Sequence, residues 1–330
     1  MSLLEVKNLT IDLDVPAGAL HAIRDVSFEV ERGETLCIVG ESGCGKSMTA
    51  LSLMGLLPRV ARHVSGEILF DGKDLMRARE EDLEALRGDR IAMIFQEPMT
   101  SLNPSFTIGD QMIEGFVQHK KGSTQEAKRR AIELLDKVGI SAGEERLKQY
   151  PHELSGGLRQ RVMIAMSLMC EPELIIADEP TTALDVTVQA QILSTLTKLC
   201  KELGLALVVI THDLGVVARI ADRVAVMYAG QVVEYAGVDD VFERPEHPYT
   251  LGLQRCIPVP GATSSRRLEV IPGRVPSLVG QLTGCSFRNR CLYASQPCTE
   301  TDIESRDANG NHRYRCLLEP GAARSAQGAQ

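Results

Sequence analysis

An octapeptide, Gly40-Glu41-Ser42-Gly43-Cys44-Gly45-Lys46-Ser47, sets the architecture open to this 330-residue chain. It has the phosphate-loop spacing Gly-x4-Gly-Lys-Ser/Thr. Ahead of it, Thr35-Leu36-Cys37-Ile38-Val39 is an unbroken run of strand length, suited to burial on both faces. Behind it, Ser47–Leu57 carries apolar residues at helical spacing. Strand, glycine-rich turn and helix in that order form a phosphate-binding unit. The glycines let main-chain N–H groups turn inward around phosphates, and the helix start adds the positive end of its dipole. Lys46 supplies a fixed cation, and the Ser47 hydroxyl is a ligand for Mg²⁺.

The rest of the chain alternates in the same manner. Leu174–Ala177 and Leu205–Ile210 read as two more buried strands, with helical spacing over Val186–Cys200 between them. Residues 80–88 and 124–138 read as helices, and 66–75 as a small hairpin. Near the start, apolar residues alternate over Leu4–Leu9, Ile11–Val15 and Ala22–Val30, which predicts short antiparallel strands punctuated by Pro16 and Gly18. Strands interleaved with helices predict an α/β layered domain with a mostly parallel sheet. The pattern stops at Pro258, Pro260-Gly261, Pro272-Gly273 and Pro276, a linker zone. The expected division is a domain over 1–257 and a C-terminal extension over 258–330, in line with about 150 residues per domain. A Gly/Ala/Ser/Gln tail after Pro320 is expected to fray.

Charge narrows the partners. The chain has 36 Lys and Arg against 44 Asp and Glu, a net −8, with no Trp, six Tyr and seven Phe. A nucleic-acid binder would want a basic surface and stacking rings, so that class is excluded. The balance is uneven: from residue 257 onward there are nine Arg, no Lys and six acids, a local +3. No apolar run reaches the ~18 residues that a bilayer span needs. Met1-Ser2-Leu3-Leu4-Glu5 has no basic n-region, so the expectation is a chain kept in the cytosol that serves a membrane by docking on a partner. Nine cysteines in that compartment are unlike a disulfide framework.

A second constellation follows the phosphate loop. Leu174-Ile-Ile-Ala-Asp178-Glu179 is an apolar strand ending in two acids, placed so that Asp178 holds Mg²⁺ and Glu179 orients and deprotonates an attacking water. About twenty residues earlier lies Leu154-Ser155-Gly156-Gly157-Leu158-Arg159-Gln160, a hydroxyl and two glycines at a helix start, which is an anion-binding arrangement. This segment resembles the signature sequence of ATP-binding cassette (ABC) ATPases. The remaining family motifs occur in order: Gln96 after the strand Ile91–Phe95, Ala183-Leu184-Asp185, and His212 after Leu205–Ile210.

The resemblance covers residues 3 to about 255 and implies an ABC-type nucleotide-binding domain of the P-loop NTPase class. That fold has a RecA-like core, an antiparallel β subdomain and a helical subdomain, here over about 97–155. It implies ATP on Gly40, Glu41, Ser42, Gly43, Cys44, Gly45, Lys46 and Ser47, and Mg²⁺ on Ser47, Gln96 and Asp178. Ser155, Gly156, Gly157 and Gln160 would meet the γ-phosphate of ATP held by the opposite subunit, Asp185 would cross the dimer interface, and Glu179, Gln96 and His212 would be catalytic. An aromatic that usually stacks on adenine is replaced by Ile11-Asp12-Leu13-Asp14, leaving Leu13 for apolar contact and His21 as the nearest planar candidate. Cys44 reads either as a small tolerated residue or as a thiol of lowered pKa at a helix N-terminus.

The resemblance narrows further. Gln96-Glu-Pro-Met-Thr-Ser-Leu-Asn-Pro104, Asp178-Glu-Pro-Thr-Thr-Ala-Leu-Asp-Val-Thr187 and His247-Pro-Tyr-Thr250 are similar to the dipeptide/oligopeptide/nickel importer subfamily, most of all to its D-type ATP-binding subunits. This implies a heterodimer with a related F-type ATPase on the cytoplasmic face of the bacterial inner membrane, beneath two transmembrane permeases fed by a periplasmic binding protein. Other cargo (nickel, haem or sugar-linked compounds), an exporter and a non-transport cassette ATPase stay open as alternatives. The extension carries Cys285-x5-Cys291-x6-Cys298-x17-Cys316. Structural zinc uses a tight Cys-x2–4-Cys pair, so wider loops suit a [4Fe–4S] cluster better, with zinc or no metal as the alternatives. Arg288, Arg290, Arg313 and Arg315 beside these cysteines are expected to offset the cluster's charge.

Overall fold

The computed structural model describes residues 2–119, 121–181, 185–257, 270–280 and 282–325. Ala183 and Leu184 of the predicted interface segment, with Thr182 before them, Pro258, Pro260 and Gly261 of the linker zone, and the tail beyond Ser325 lie outside the described residues. The chain groups into two compact units, one of residues 1–3, 30–35 and 75–210, the other of 4–29, 36–74 and 211–330.

The first unit is built on three parallel strands, Ile91–Ile94, Leu174–Asp178 and Ala206–Thr211. Ile91 pairs with Leu174, and Leu174 with Ala206. Every residue of the latter two strands is buried, which is why the sequence shows unbroken apolar runs rather than alternation. The helices Ile108–Gln118 and Thr124–Lys137 each begin with a capping box, Thr107 with Asp110 and Ser123 with Glu126. Ala127, Ala131, Leu134 and Leu135 turn inward at spacings of three and four, and burying each leucine contributes about 1.5–3 kcal/mol. Arg130 donates to the carbonyls of Leu168 and Met169, at 2.9 and 2.6 Å, and so satisfies the end of the helix Gly156–Ser167. The helix Val186–Leu203 stops at Gly204, whose φ of 68° closes it in the left-handed region.

The second unit holds a four-stranded antiparallel sheet in the order Gly18–Glu31, Ser2–Val15, Ala61–Phe70, Lys73–Asp74. The short strands predicted from Pro16 and Gly18 are instead two strands of 14 residues each. Pro16 and Gly18 mark only the turn between them. The predicted break in apolar alternation between Leu9 and Ile11 coincides with a bulge between Lys7 and Thr10, where Asn8 sits at φ 48° and its N–H donates to Ser27 Oγ at 2.8 Å.

A second sheet in this unit runs Arg306–Asp307, Arg313–Tyr314, Gln231–Gly237, Arg223–Tyr228, Thr35–Val39. Thr35–Val39 lies parallel to Arg223–Tyr228, while the extension's Arg313–Tyr314 adds antiparallel to Gln231–Gly237. One sheet thus carries both the strand before the phosphate loop and the last strands of the extension. Fully buried Glu234 fastens it, accepting from the Glu246 and His247 amides at 2.7 and 3.0 Å and pairing with His312 Nε2 at 2.7 Å. A carboxylate with three such partners is tolerated in a core that would otherwise expel it.

Candidate functional site

The phosphate loop leaves the buried strand Thr35–Val39 and ends on the helix Lys46–Leu53. Gly40 is required at its entry: at φ 156° an added Cβ would lie 2.1 Å from Met227 O and 2.8 Å from Cys44 Sγ. Gly45 is required at its exit, where φ is 103° and an added Cβ would lie 2.7 Å from Ala22 O. Lys46 is 5% exposed, with Nζ donating to Gly40 O at 2.7 Å and Glu41 O at 3.0 Å. Ser42, Gly43 and Ser47 are exposed along the same loop. Cys44 corrects the reading of an activated thiol: it is 1% exposed, and burial pushes its pKa up despite Lys46 nearby. It is a small core residue.

Glu41 is gripped from the C-terminal side. Its backbone N–H donates to Tyr249 Oη at 2.9 Å, and its carboxylate accepts from Arg290 Nη1 and Nη2 at 2.6 and 2.9 Å. Arg290 Nε donates to Pro272 O at 2.9 Å, Nη2 to Ile271 O at 3.1 Å and Nη1 to Tyr228 Oη at 3.4 Å. All five guanidinium donors are therefore used by a side chain that is 5% exposed. Hydrogen bonding to Glu41 raises the Arg290 pKa further above its ordinary value. Tyr228, Tyr249, Phe287 and His247 form an aromatic cluster behind it, with ring centroids 4.6–5.9 Å apart.

In the first unit, the strand Leu174–Asp178 delivers two carboxylates. Asp178 is 6% exposed at its end. Glu179 follows in the left-handed region at φ 43°, its N–H held by Ile210 O at 2.9 Å. A glutamate there carries backbone strain of about 1–3 kcal/mol, which the surrounding structure must over-determine. Gln96 Nε2 donates to Glu179 Oε2 at 3.1 Å, so two predicted catalytic residues meet. Ser155 caps the helix Gly156–Ser167, accepting from Leu158 N at 3.4 Å, and stays exposed beside Gly156. An added Cβ at Gly157 would stand 3.3 Å from Val188. Gln160 is 1% exposed, and its Nε2 has no acceptor among the described residues. Asp185 caps the helix Val186–Leu203 through Val188 N at 3.0 Å.

In the second unit, His212 is exposed just before Asp213, which caps the helix Leu214–Ile220. His21 is held at both ring nitrogens, by Asp12 Oδ1 at 2.7 Å and Gly280 O at 3.0 Å, and half-buried Leu13 lies in the neighbouring strand opposite Ala61.

Cys285, Cys291, Cys298 and Cys316 line one cavity of about 80 Å³, walled by His247, Phe287 and Ile303 among others. Burial pushes the Cys291 and Cys316 thiols up to about 11. Among the described residues, no three His, Cys, Asp or Glu side chains are grouped to hold a metal ion, so this grouping supports neither the expected [4Fe–4S] cluster nor zinc. The expected arginine neighbours also differ. Only Arg288 lines the cavity, while Arg290 is committed to Glu41, Arg315 to Asp25 at 2.8 Å, and Arg313 lies over the Tyr235 ring. Sequence reasoning missed the roles of Tyr249 and Arg290. His247-Pro-Tyr-Thr250 is a legible signal, but nothing in the segment around Cys285–Cys291 singles out Arg290 over Arg288.

Residues 23–182 match the family model described as ABC transporter, and residues 233–298 match that of the oligopeptide/dipeptide transporter C-terminal region. The oligopeptide transport ATP-binding protein OppD of Bacillus subtilis is 49% identical over 97% of this chain and 90% of its own length. The dipeptide transport ATP-binding protein DppD of the same organism is 46% identical over 98% and 96%. Among solved structures, the dimeric post-hydrolysis state of the ATP-binding cassette MJ0796 bound to ADP and Pi superposes with a TM-score of 0.64. It is 30% identical and covers 71% of this chain and 98% of its own. CbiO1 from Clostridium perfringens, part of the ABC transporter complex cbiONQ, gives a TM-score of 0.62 at 31% identity, over 73% and 91%.

Proposed function

Since the chain belongs to the ABC transporter ATP-binding family, in its oligopeptide and dipeptide branch, we propose that it hydrolyses ATP to drive peptide uptake. The observation that carries the peptide cargo is the match of residues 233–298 to that branch's C-terminal region, on the same chain as the cassette. The ATPase domain then spans 1–257, with a helical subdomain over about 97–155, and 258–330 is the extension. Main-chain donors of Gly40–Gly45 and the Lys46 ammonium bind the triphosphate. Ser47, Asp178 and Gln96 offer a hydroxyl, a carboxylate and an amide oxygen, the hard donor set suited to Mg²⁺, which supplies charge neutralisation on the phosphates when bound. Glu179 takes the proton of the attacking water, Gln96 fixes its carboxylate, and His212 addresses the γ-phosphate. Leu13 would give the adenine an apolar contact, and His21 would offer it a ring face. Ser155, Gly156, Gly157 and Gln160 receive the nucleotide of a second ATP-binding subunit, across an interface to which Asp185 contributes.

The partners follow from this reading: a related F-type ATPase, two membrane permeases and a periplasmic substrate-binding protein, with this subunit on the cytoplasmic face of the inner membrane. Among the described residues no helix is long and apolar enough to cross a membrane, so attachment would be through the permeases. Affinity purification of the tagged full chain from membranes is expected to recover two polytopic proteins and a second cassette ATPase. Recovery of the chain without any polytopic protein would overturn the importer reading.

The four cysteines line one cavity, and their wide spacing in sequence, without a tight Cys-x2–4-Cys pair, supports a [4Fe–4S] cluster over zinc. Such a cluster, bound through Cys285, Cys291, Cys298 and Cys316, supplies a covalent staple to a segment with little core of its own. Anaerobically purified protein is expected to contain iron and sulfide and to lose both in a Cys291→Ser, Cys298→Ser variant. Iron-free protein with unchanged thermal stability would remove the cluster.

A further inference from the structure

We propose that Arg290 is a positioning residue for nucleotide binding, neutralising and fixing Glu41 in the phosphate loop from within the cysteine-bearing extension. The inference rests on the reading that this loop binds a nucleoside triphosphate. Glu41 is the only acid in the octapeptide, and it places a negative charge in a loop whose ligand is itself an anion. Uncompensated, that carboxylate repels the triphosphate and is free to swing towards the loop's own donors.

The compensation comes from one guanidinium, 249 residues away in sequence, with both Nη atoms on the carboxylate. The fork has no freedom to leave. Pro272 O, Ile271 O and Tyr228 Oη hold its remaining donors, and Arg290 sits in a chain of tight turns. Arg288 N donates to Cys285 O at 3.2 Å, Arg290 N to Phe287 O at 2.9 Å and Cys291 N to Arg288 O at 3.3 Å. A lysine in place of Arg290 could not reproduce this, because a point cation cannot span two carboxylate oxygens and three further acceptors. Tyr249 completes the grip by accepting the Glu41 N–H. The extension thereby sets the affinity of a loop more than two hundred residues upstream.

Binding of a fluorescent ATP analogue to the full chain, with Michaelis–Menten kinetics of ATP, tests this. Arg290→Ala is expected to raise the dissociation constant and KM about tenfold, with kcat changed less than twofold, and the deficit should shrink as salt rises. Adding Glu41→Gln to Arg290→Ala removes the unpaired charge and is expected to bring the dissociation constant back to within about threefold of wild type. Tyr249→Phe keeps the ring packing and is expected to weaken binding less than Arg290→Ala does. A double variant as weak as, or weaker than, Arg290→Ala would mean that Arg290 only supports the fold. An unchanged dissociation constant in Arg290→Ala would also overturn the proposal. Failure of wild type itself to bind the analogue would instead remove the nucleotide reading on which the inference stands.

Discussion

Glu179→Gln is expected to bind ATP as tightly as wild type and to hydrolyse it about 10²–10⁴ times more slowly, the range for loss of a general base. The substitution is chosen because the local structure survives it. The new amide oxygen still accepts from Gln96 Nε2, now 3.1 Å from Glu179 Oε2, and the backbone stays at φ 43° with its N–H on Ile210 O. Volume is unchanged, so a slower reaction reports lost basicity rather than lost packing. With hydrolysis stalled, ATP is expected to hold this chain against a second ATP-binding subunit, visible as a larger species by light scattering. Turnover within a few-fold of wild type would show that another group takes the proton.

Lys46→Ala is expected to act one step earlier, weakening ATP binding about 10²–10³-fold and abolishing turnover at ordinary nucleotide concentrations. Truncating one partner of a buried, hydrogen-bonded charge pair costs about 2–5 kcal/mol, and each 1.4 kcal/mol is tenfold in affinity. The side chain is 5% exposed and also bridges Gly40 O and Glu41 O, so its loss loosens the loop as well as removing the cation. Lys46→Arg is not expected to rescue, because a planar fork does not fit a pocket shaped around an ammonium. Equilibrium binding of a fluorescent nucleotide separates the two variants: Glu179→Gln keeps the signal and Lys46→Ala loses it.

Legibility in the sequence follows how local each feature is. Thr35–Val39 is legible to the residue, because Thr35 and four apolar residues bounded by Glu34 and Gly40 leave one strand to draw. The helices Thr124–Lys137 and Val186–Leu203 fall within three residues of the boundaries read from periodicity. The helix after the phosphate loop is shorter than its pattern, ending at Leu53 instead of Leu57, because Gly55 at φ 63° breaks it. The long N-terminal strands are harder to read, since a turn at Pro16 and a bulge at Asn8 both resemble strand ends.

For the site, the phosphate loop has its own spacing, whereas Asp178–Glu179, Ser155–Gly157 and His212 are read only from their order along the chain; the Gln96–Glu179 contact follows from their shared place beyond neighbouring parallel strands. The grip on Glu41 has no local signature. Its parts are single residues at 41, 249 and 290, and only the folded chain brings an arginine read as a counter-charge for cysteines onto the phosphate loop.

The sheet shared by the loop-bearing strand and the extension also bears on how small a working version of this protein can be made. Trimming after Ile257 spares every nucleotide motif, yet it removes Phe287 from the faces of Tyr228 and Tyr249 and takes His312 from a carboxylate with no access to water. It also bares the outer margin of Gln231–Gly237, a ready template for sticking to a neighbour. A minimal catalyst cut after Ile257 is therefore expected to be insoluble, and engineering should shorten loops instead of amputating the end.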